Sequence, residues 1–261
     1  MNGRVSWWRR LLWMSSASLL PALIAVPPGA ADTNLRVAPA SIDIGTFFGG
    51  AQVEVSAEIP AGSEAVIEVL GQNIEERLLR KGRHWDIWMN VGVINIEGAP
   101  SLYYVMSTNP ASLSRIATDA PYGYLSLTKS VSFVGDIKGL KRTRIFDEFI
   151  KLKESEKLYK EYPGQLKVSQ SAEGRSRVRG TFRIPSKVAP GHYLVQLSVL
   201  EDGRPVGIET ASLDVAMIGL PAFLSRLALR HGALYGLMAV AVAAAFGYVT
   251  GLVFRKTGGG H

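Results

Sequence analysis

Few residues of this sequence have the type and spacing that chemistry requires. The four histidines lie far apart along the chain, and none has a companion at metal-ligand spacing: His84, His192, His231 and His261. Ser126 and Lys129 match the SxxK pattern of penicillin-interacting enzymes, but its companion elements are missing and chance explains two matching letters better. The chain has no cysteine, which excludes thiolate nucleophiles, cysteine-ligated metals and disulfides. We therefore expect no catalytic residue, metal or cofactor.

Two further groups of side chains could bind a ligand, and each has a structural alternative. One is a set of arginines that alternate along a predicted strand: Arg175, Arg177, Arg179 and Arg183. They would bind an anion or lipid headgroups, or form a solvated strand face, which we favour because arginine is mostly exposed in folded domains. The other is the pair Trp85 and Trp88. These would line a binding groove or, as we favour, pack in the core or at its rim.

The net charge of +7 belongs to the two ends of the chain. Seven basic residues lie near the N-terminus or flank the last apolar run: Arg4, Arg9, Arg10, Arg226, Arg230, Arg255 and Lys256. Removing these seven from the 29 basic residues leaves 22, which equals the number of acidic residues. All acidic residues lie between Asp32 and Asp214, so the stretch 32–220 is formally neutral. Nucleic-acid binding would need a basic face on the folded domain, and the bulk charge gives it no support.

Residues 1–31 have the three-part pattern of a secretory signal peptide. Basic residues come first, an apolar run from Leu11 to Val26 follows, and small residues precede Asp32. The apolar run makes about 24 Å of helix, which is short for a membrane span. We expect cleavage after Ala31, with an uncleaved signal anchor as the alternative.

Residues 232–254 form a predicted transmembrane helix. The 22 positions from Ala233 to Phe254 carry no charge, and at 1.5 Å per residue they span about 33 Å, enough to cross the hydrocarbon layer. Arg255 and Lys256 begin the short tail 255–261, which the positive-inside rule places in the cytoplasm. We therefore expect a single-pass protein of a bacterial inner membrane, with the bulk of the chain in the periplasm.

The chain between these ends is predicted to be mainly β. In residues 52–59, apolar and polar side chains alternate with the period of a half-buried strand. Asp202 and Gly203 predict a type I′ hairpin turn, and Tyr193 after Pro190-Gly-His suggests the tyrosine corner of immunoglobulin-like folds. The β-rich parts 32–108 and 164–218 therefore predict an antiparallel immunoglobulin-like sandwich, either one elaborated domain or two small ones.

Helices interrupt the β pattern in residues 109–163. A short helix is predicted at 111–118, and a longer one from Arg142 to Tyr162, because apolar residues there fall on one stripe and Pro163-Gly164 follows. Residues 219–231 form a basic amphipathic segment before the membrane helix. It either lies on the membrane surface or continues the transmembrane helix with snorkelling arginines.

Short motifs in a fixed order extend over nearly all of the chain after residue 31. They include Ile42-Asp-Ile-Gly-Thr-Phe-Phe-Gly49, Pro100-Ser-Leu-Tyr-Tyr-Val-Met-Ser107 and Ile145-Phe-Asp-Glu-Phe-Ile-Lys-Leu152, with shorter matches at 87–90, 158–159, 190–193, 202–203 and 234–236. In these motifs the chain resembles a family of alphaproteobacterial transmembrane proteins with no assigned function. The resemblance implies a signal peptide, a periplasmic domain and one anchor, and no catalytic residues. Some relatives are encoded beside sulfite-exporter-like permeases, which implies an accessory role in transport.

One side of the predicted membrane helix consists of small residues. Projected at 100° per residue, the small residues fall within a sector of about 120°: Gly232, Gly236, Ala239, Ala243, Gly247, Thr250 and Gly251. Such a face lets two helix backbones approach closely in lipid, although glycine and alanine are frequent in membrane helices in any case. The sequence thus predicts a membrane-anchored accessory protein whose helix binds a membrane-protein partner or a second copy. The alternatives are a periplasmic ligand-binding or sensor module and an envelope enzyme of unrecognised class.

Overall fold

Two β-sheets face each other across a shared apolar core. The computed structural model describes residues 33–113, 122–137, 139–170 and 174–255. The predicted signal peptide, 1–31, and the tail from Lys256 onwards lie outside the described residues. The strands are β1 (Arg36–Ala38), β2 (Ser41–Ile44), β3 (Ala51–Pro60), β4 (Glu64–Leu70), β5 (Asn73–His84), β6 (Ile87–Pro100), β7 (Tyr103–Ser107), β8 (Ser132–Gly135), β9 (Tyr159–Tyr162), β10 (Lys167–Gln170), β11 (Arg175–Ile184), β12 (Gly191–Glu201) and β13 (Arg204–Met217). The helices are a 3-10 turn (Pro110–Leu113), α1 (Tyr124–Ser130), α2 (Arg142–Ser155), α3 (Gly219–Arg230) and α4 (Gly232–Arg255).

The sheet topology answers whether the β-rich parts form one sandwich or two. A four-stranded sheet has the order β1-β3-β11-β10, and a six-stranded sheet the order β2-β13-β12-β4-β7-β9. Strands from before and after the helical insertion pair directly: β3 with β11 and β4 with β12, both antiparallel. β2 and β9 add to the edges of the six-stranded sheet in parallel. The chain therefore forms one elaborated immunoglobulin-like sandwich, mainly β and mainly antiparallel.

Alternating side chains form the core between the two sheets. Val53, Val55 and Ile59 of β3 are fully buried and pack in one cluster with Ile67 of β4 and Leu197 of β12. Each such aliphatic side chain contributes about 1.5–3 kcal/mol when it leaves water. The polar residues between them face solvent, which is the reason that the period-2 pattern predicts this strand correctly.

Two local predictions of the sandwich are confirmed. Asp202 and Gly203 both have positive φ, 48° and 76°, as a type I′ turn requires, and they join β12 to β13. The Tyr193 hydroxyl donates a hydrogen bond of 2.6 Å to the carbonyl of Ala189. A tyrosine that bonds back to the chain just upstream is the tyrosine corner of immunoglobulin-like domains.

The six-stranded sheet is also covered on the outer face of β4 and β7. Tyr103 and Val105 of β7 are buried there in a second cluster, with Phe149 of α2, Leu127 of α1 and Ile96 of β6. β6 belongs to a third sheet of order β5-β6-β8. The helical insertion and this small sheet therefore form an additional layer on the sandwich.

The predicted helices of the insertion need two corrections. α2 ends at Ser155, not at Tyr162, and residues 159–162 form strand β9. The helix ends in a Schellman motif, in which Leu158 N–H donates to the carbonyl of Lys153 and Lys157 has a φ of 62°. This position is usually glycine, and a lysine there gives no signal in the sequence. The helix predicted at 111–118 is a 3-10 turn at Pro110–Leu113, and the rest of it lies outside the described residues.

An ion pair between a buried lysine and a partly exposed glutamate joins α2 to the third sheet. The Lys153 side chain is only 3% exposed, and its ammonium group contacts the carboxylate of Glu76 on β5. Glu156 is a second, more distant partner at 3.9 Å. Loss of one member of such a pair leaves the other charge without compensation in a medium of low polarity.

Replacing Lys153 by methionine should lower the free energy of unfolding by about 1–3 kcal/mol, because the buried Oε2 atom of the partly exposed Glu76 loses its cation. The matched control is Lys151→Met. Lys151 forms an exposed ion pair of 3.0 Å with Glu148, and its loss should lower the free energy of unfolding by less than about 0.5 kcal/mol. Denaturant unfolding of the full chain, followed by circular dichroism, measures both. Equal destabilisation by the two variants would contradict the role of Lys153.

Candidate functional site

The β5–β6 hairpin carries two highly exposed tryptophan side chains. Trp85 and Asp86 form the turn at its tip, with φ of 49° and 63°. Trp85 is 91% exposed, Ile87 65% and Trp88 71%. Core or rim packing, which we favour for the tryptophans, is therefore wrong, because both side chains are largely exposed. A role in a binding groove stays a prediction. The part of the hairpin that packs in the outer layer ends near Leu78 and Ile94, and the two strands continue beyond this point.

Basic side chains lie beside the aromatic tip. Arg83 pairs in register with Trp88 across the hairpin, and its guanidinium group forms a salt bridge of 2.9 Å with Asp86. Three more basic residues precede it on β5: Arg77, Arg80 and Lys81. Exposed apolar residues continue along both strands with Leu79, Met89 and Val91. We define the hairpin tip as residues 77–91.

The hairpin leaves the sandwich at the end that also carries the membrane helix. The hydrogen bonds Gly71 N–H to Leu102 O and Ser101 N–H to Gln72 O continue the β4–β7 ladder into β5 and β6. Leu70 at the end of β4 pairs with Leu194 on β12. A few residues away on β12, Gly191 pairs with Val215 on β13. β13 ends at Met217, just before α3. The ends of β4 and β13 thus lie at one end of the sandwich, which we call the anchor end.

The anchor end exposes further apolar residues. β2 runs parallel to β13, so the loop that follows Ile44 lies at this end, and its Phe47 is 99% exposed. In α3, Leu220, Phe223 and Leu229 are exposed as well. Their exposure together with the apolar run of α4 is typical of a surface that rests on a membrane.

The predicted membrane segments are two separate helices. α3 ends at Arg230, His231 leaves the helical conformation with φ −137° and ψ 57°, and α4 begins at Gly232. The amphipathic segment therefore does not continue the membrane helix without a break. Gly232–Leu252 is apolar and long enough to cross a membrane, and nothing in it is buried.

The predicted small-residue face lies entirely on α4. Its members are Gly232, Gly236, Ala239, Ala243, Gly247, Thr250 and Gly251. A Cβ built on any of the four glycines would meet no atom within 4 Å, so this side is open to another molecule. The basic residues Arg226 and Arg230 lie on α3, Arg255 is the last residue of α4, and Lys256 lies outside the described residues.

A cavity of about 540 Å³ lies between α1 and α2. Its walls include the apolar side chains of Tyr124, Leu125, Phe146 and Ile150, and charged residues of α2 line it as well. The volume falls within the range of about 300–1,000 Å³ that small-molecule pockets have. No motif in the sequence predicts this cavity, because it depends on how two helices 12 residues apart pack.

The other residues that we considered are dispersed. Arg175 and Arg177 pair with Glu58, Arg179 approaches Glu54, and Arg183 donates to the carbonyl of Gly49. These contacts make the arginine stripe a solvated strand face with cross-strand ion pairs. The Ser126 hydroxyl donates to Gly123 O at 2.7 Å, and His192 contacts Asp214. Within the described ranges, His, Asp and Glu side chains form no group of three or more that could hold a metal ion.

A buried carboxyl group lies beneath α1. Glu68 of β4 is 8% exposed, and its Oε1 accepts a hydrogen bond of 2.6 Å from the Tyr103 hydroxyl. Gly123 N–H in turn donates to this hydroxyl at 3.0 Å. Burial raises the pKa of Glu68 above its ordinary value of 4.5, and the hydrogen bond from Tyr103 offsets this only in part. The group is closed off from solvent, so we assign it to the stability of the domain.

Comparison with known proteins gives one family and one solved structure. The family described as "Putative transmembrane protein (Alph_Pro_TM)" matches residues 33–256, and its description names no enzymatic activity. No curated protein is significantly similar. Domain 1 of VCBP3 from Branchiostoma floridae is 13% identical, with 73% of this chain and 98% of that chain covered and a TM-score of 0.25. At that score the fold assignment rests on the strand pairing alone.

Glu68 should make the domain less stable as the pH rises above about 4.5. The folded state binds the Glu68 proton more tightly than the unfolded state, so its contribution is complete below pH 4.5 and is lost as the pH rises through the folded pKa. Glu68→Gln should therefore be more stable, relative to wild type, at pH 7 than at pH 4.5. Denaturant unfolding at the two pH values measures this difference.

Glu58 provides the control of opposite sign. Its hydrogen bond from Arg177 lowers the pKa of Glu58, so its contribution is present above pH 4.5 and is lost as the pH falls through the folded pKa. Glu58→Gln should lose stability relative to wild type at pH 7 and recover it in acid. A Glu68→Gln variant that follows this second pattern would contradict the assignment.

Proposed function

Because the chain belongs to the alphaproteobacterial transmembrane protein family that matches residues 33–256, we propose that it is a membrane-anchored accessory protein without enzymatic activity. The sandwich lies in the periplasm, α4 crosses the inner membrane, and the tail lies in the cytoplasm. The partner is an integral membrane protein, such as a transporter of which this chain is an auxiliary subunit, or a second copy of the chain. The contact is made by the small-residue face of α4.

The clustering of small residues on one side of α4 carries this proposal. Lipid chains are as apolar as leucine, so two membrane helices gain no hydrophobic free energy when they associate. Association depends on close packing instead, and glycines at i and i+4 allow the backbones to approach. Gly232 with Gly236, and Gly247 with Gly251, have this spacing and open surroundings.

The leader and the flanking charges support the orientation. A cleaved signal peptide at 1–31 delivers the following chain to the periplasm. α4 then stops the transfer, and Arg255 with Lys256 retains the tail on the cytoplasmic side. An uncleaved leader gives the same placement of the sandwich.

A second candidate function is a ligand-binding or sensor module, and the cavity between α1 and α2 favours it. Its apolar and charged lining residues fit a small amphipathic molecule. Native mass spectrometry of the full chain, released from mild detergent, should then show a bound small molecule. Phe146→Trp, which reduces the volume of the cavity, should abolish it, and an unliganded wild type would argue against the sensor.

Gly236→Leu and Gly247→Leu should each weaken association of the chain in native membranes. A leucine side chain holds the two backbones apart and removes much of the packing on which a small-residue interface depends. Cross-linking in membranes, followed by identification of the linked proteins, measures the effect, and we expect at least a several-fold loss. Leu237→Ala lies outside the face and serves as the matched control. If both glycine variants associate as strongly as wild type, α4 serves only as a membrane anchor.

Protease added to spheroplasts should digest the sandwich and leave α4 with its tail protected. N-terminal sequencing of the purified chain should begin at Asp32 if the leader is removed. The control is lysed spheroplasts, in which the tail becomes accessible too. Complete protection of the sandwich while the bilayer is intact would reverse the proposed orientation.

A further inference from the structure

The hairpin tip combines the two residue classes that proteins place in the headgroup layer of a membrane. Trp85 and Trp88 are exposed aromatic side chains with a polar N–H, and Ile87 between them is exposed as well. Tryptophan is enriched at membrane interfaces because its ring is apolar and its N–H is not. Arg77, Arg80, Lys81 and Arg83 outnumber Asp86 in the same stretch, so the tip has a net positive charge.

We propose that the hairpin tip inserts into the headgroup layer of the membrane that α4 spans and binds anionic phospholipid there. The aromatic and aliphatic side chains enter the layer, and the basic side chains contact the lipid phosphates. Each basic residue near an anionic surface contributes attraction that falls off within a Debye length, about 8 Å at physiological salt. This inference does not depend on whether α4 pairs with another helix.

The hairpin is long enough to reach the bilayer. It starts at the anchor end, and α3, which follows the sandwich directly, is about 18 Å long at 12 residues. Even if α3 stood perpendicular to the membrane, the sandwich would lie no further away than this length. The six residues of β5 beyond Leu78 extend about 20 Å at 3.3 Å per residue, and the whole strand twice as far.

The composition of the tip favours lipid over a protein partner. Six large apolar side chains are exposed there: Leu79, Trp85, Ile87, Trp88, Met89 and Val91. The four basic residues of the tip lie among them on a two-stranded ribbon. The buried core of a specific protein interface is depleted of charged residues, whereas insertion into a headgroup layer requires aromatic anchors and a positive charge.

Tryptophan fluorescence of the full chain in nanodiscs tests the proposal. The other tryptophans are Trp7, Trp8 and Trp13, so subtracting the spectrum of Trp85→Phe/Trp88→Phe isolates the tip. In discs with phosphatidylglycerol and brominated phosphatidylcholine, the tip emission should fall at least about twofold relative to the same discs without bromine, because bromine quenches indoles at the depth of the lipid chains. Lys81→Glu/Arg83→Glu, and discs without the anionic lipid, should each reduce the quenching.

A tryptophan at the opposite end of the sandwich provides the control. Ala61 lies in the exposed turn between β3 and β4, one strand length from the anchor end. Ala61→Trp in the Trp85→Phe/Trp88→Phe background should not be quenched. Tip emission that is quenched no more than that of Ala61→Trp would overturn the proposal, as would quenching that is the same with and without anionic lipid. If the tip tryptophans become shielded only after a membrane protein is added, the proposal is overturned in favour of a protein partner.

Discussion

Burial of both faces of β4 and β7 is the constraint on which the rest of this fold depends. These are interior strands of the six-stranded sheet, and every residue from Ala65 to Val69 and from Tyr103 to Ser107 is buried. An antiparallel sandwich needs only one buried face on each sheet, with the other face in water. Because Val66, Tyr103 and Val105 are apolar or aromatic on the outer face too, the sheet requires a second layer over it. The helical insertion and the third sheet form this layer.

The consecutive tyrosines of β7 show how the two layers are joined. Tyr103 points outward and donates to Glu68, while Tyr104 points into the sandwich and its hydroxyl donates to Lys157 O at 2.6 Å. Each hydroxyl thus finds a partner within a nearly dry interior, which avoids the cost of an unsatisfied polar group. Tyr159 of β9 similarly donates to Pro100 O. These bonds position β9 and the root of the hairpin against the sheet, so the free part of the hairpin starts from a rigid base.

The sequence predicts the sandwich well where one physical rule decides and poorly where tertiary packing decides. Alternation in β3, the Asp202-Gly203 turn and the uncharged run of α4 each follow from local chemistry, and each is present. The end of α2 was predicted seven residues too late, because a lysine takes the left-handed position that usually signals a stop. The role of Trp85 and Trp88 was predicted wrongly for a related reason. Large aromatic residues are normally buried, and only the register of β5 with β6 shows that the hairpin extends past its packing layer.

The net charge of the folded domain does not show how its charged residues are distributed over the surface. Residues 32–220 are formally neutral, which gives no support to nucleic-acid binding. Neutrality of the sum, however, does not require neutrality of each part. Most of the β11 arginines described above face glutamates of β3, whereas the basic residues of β5 accumulate toward the tip of a ribbon that leaves the anchor end. A membrane with anionic headgroups responds to the local charge within a Debye length and not to the total. The positions of Phe47, α3 and the hairpin root at one end therefore matter more for the orientation of the domain than its net charge.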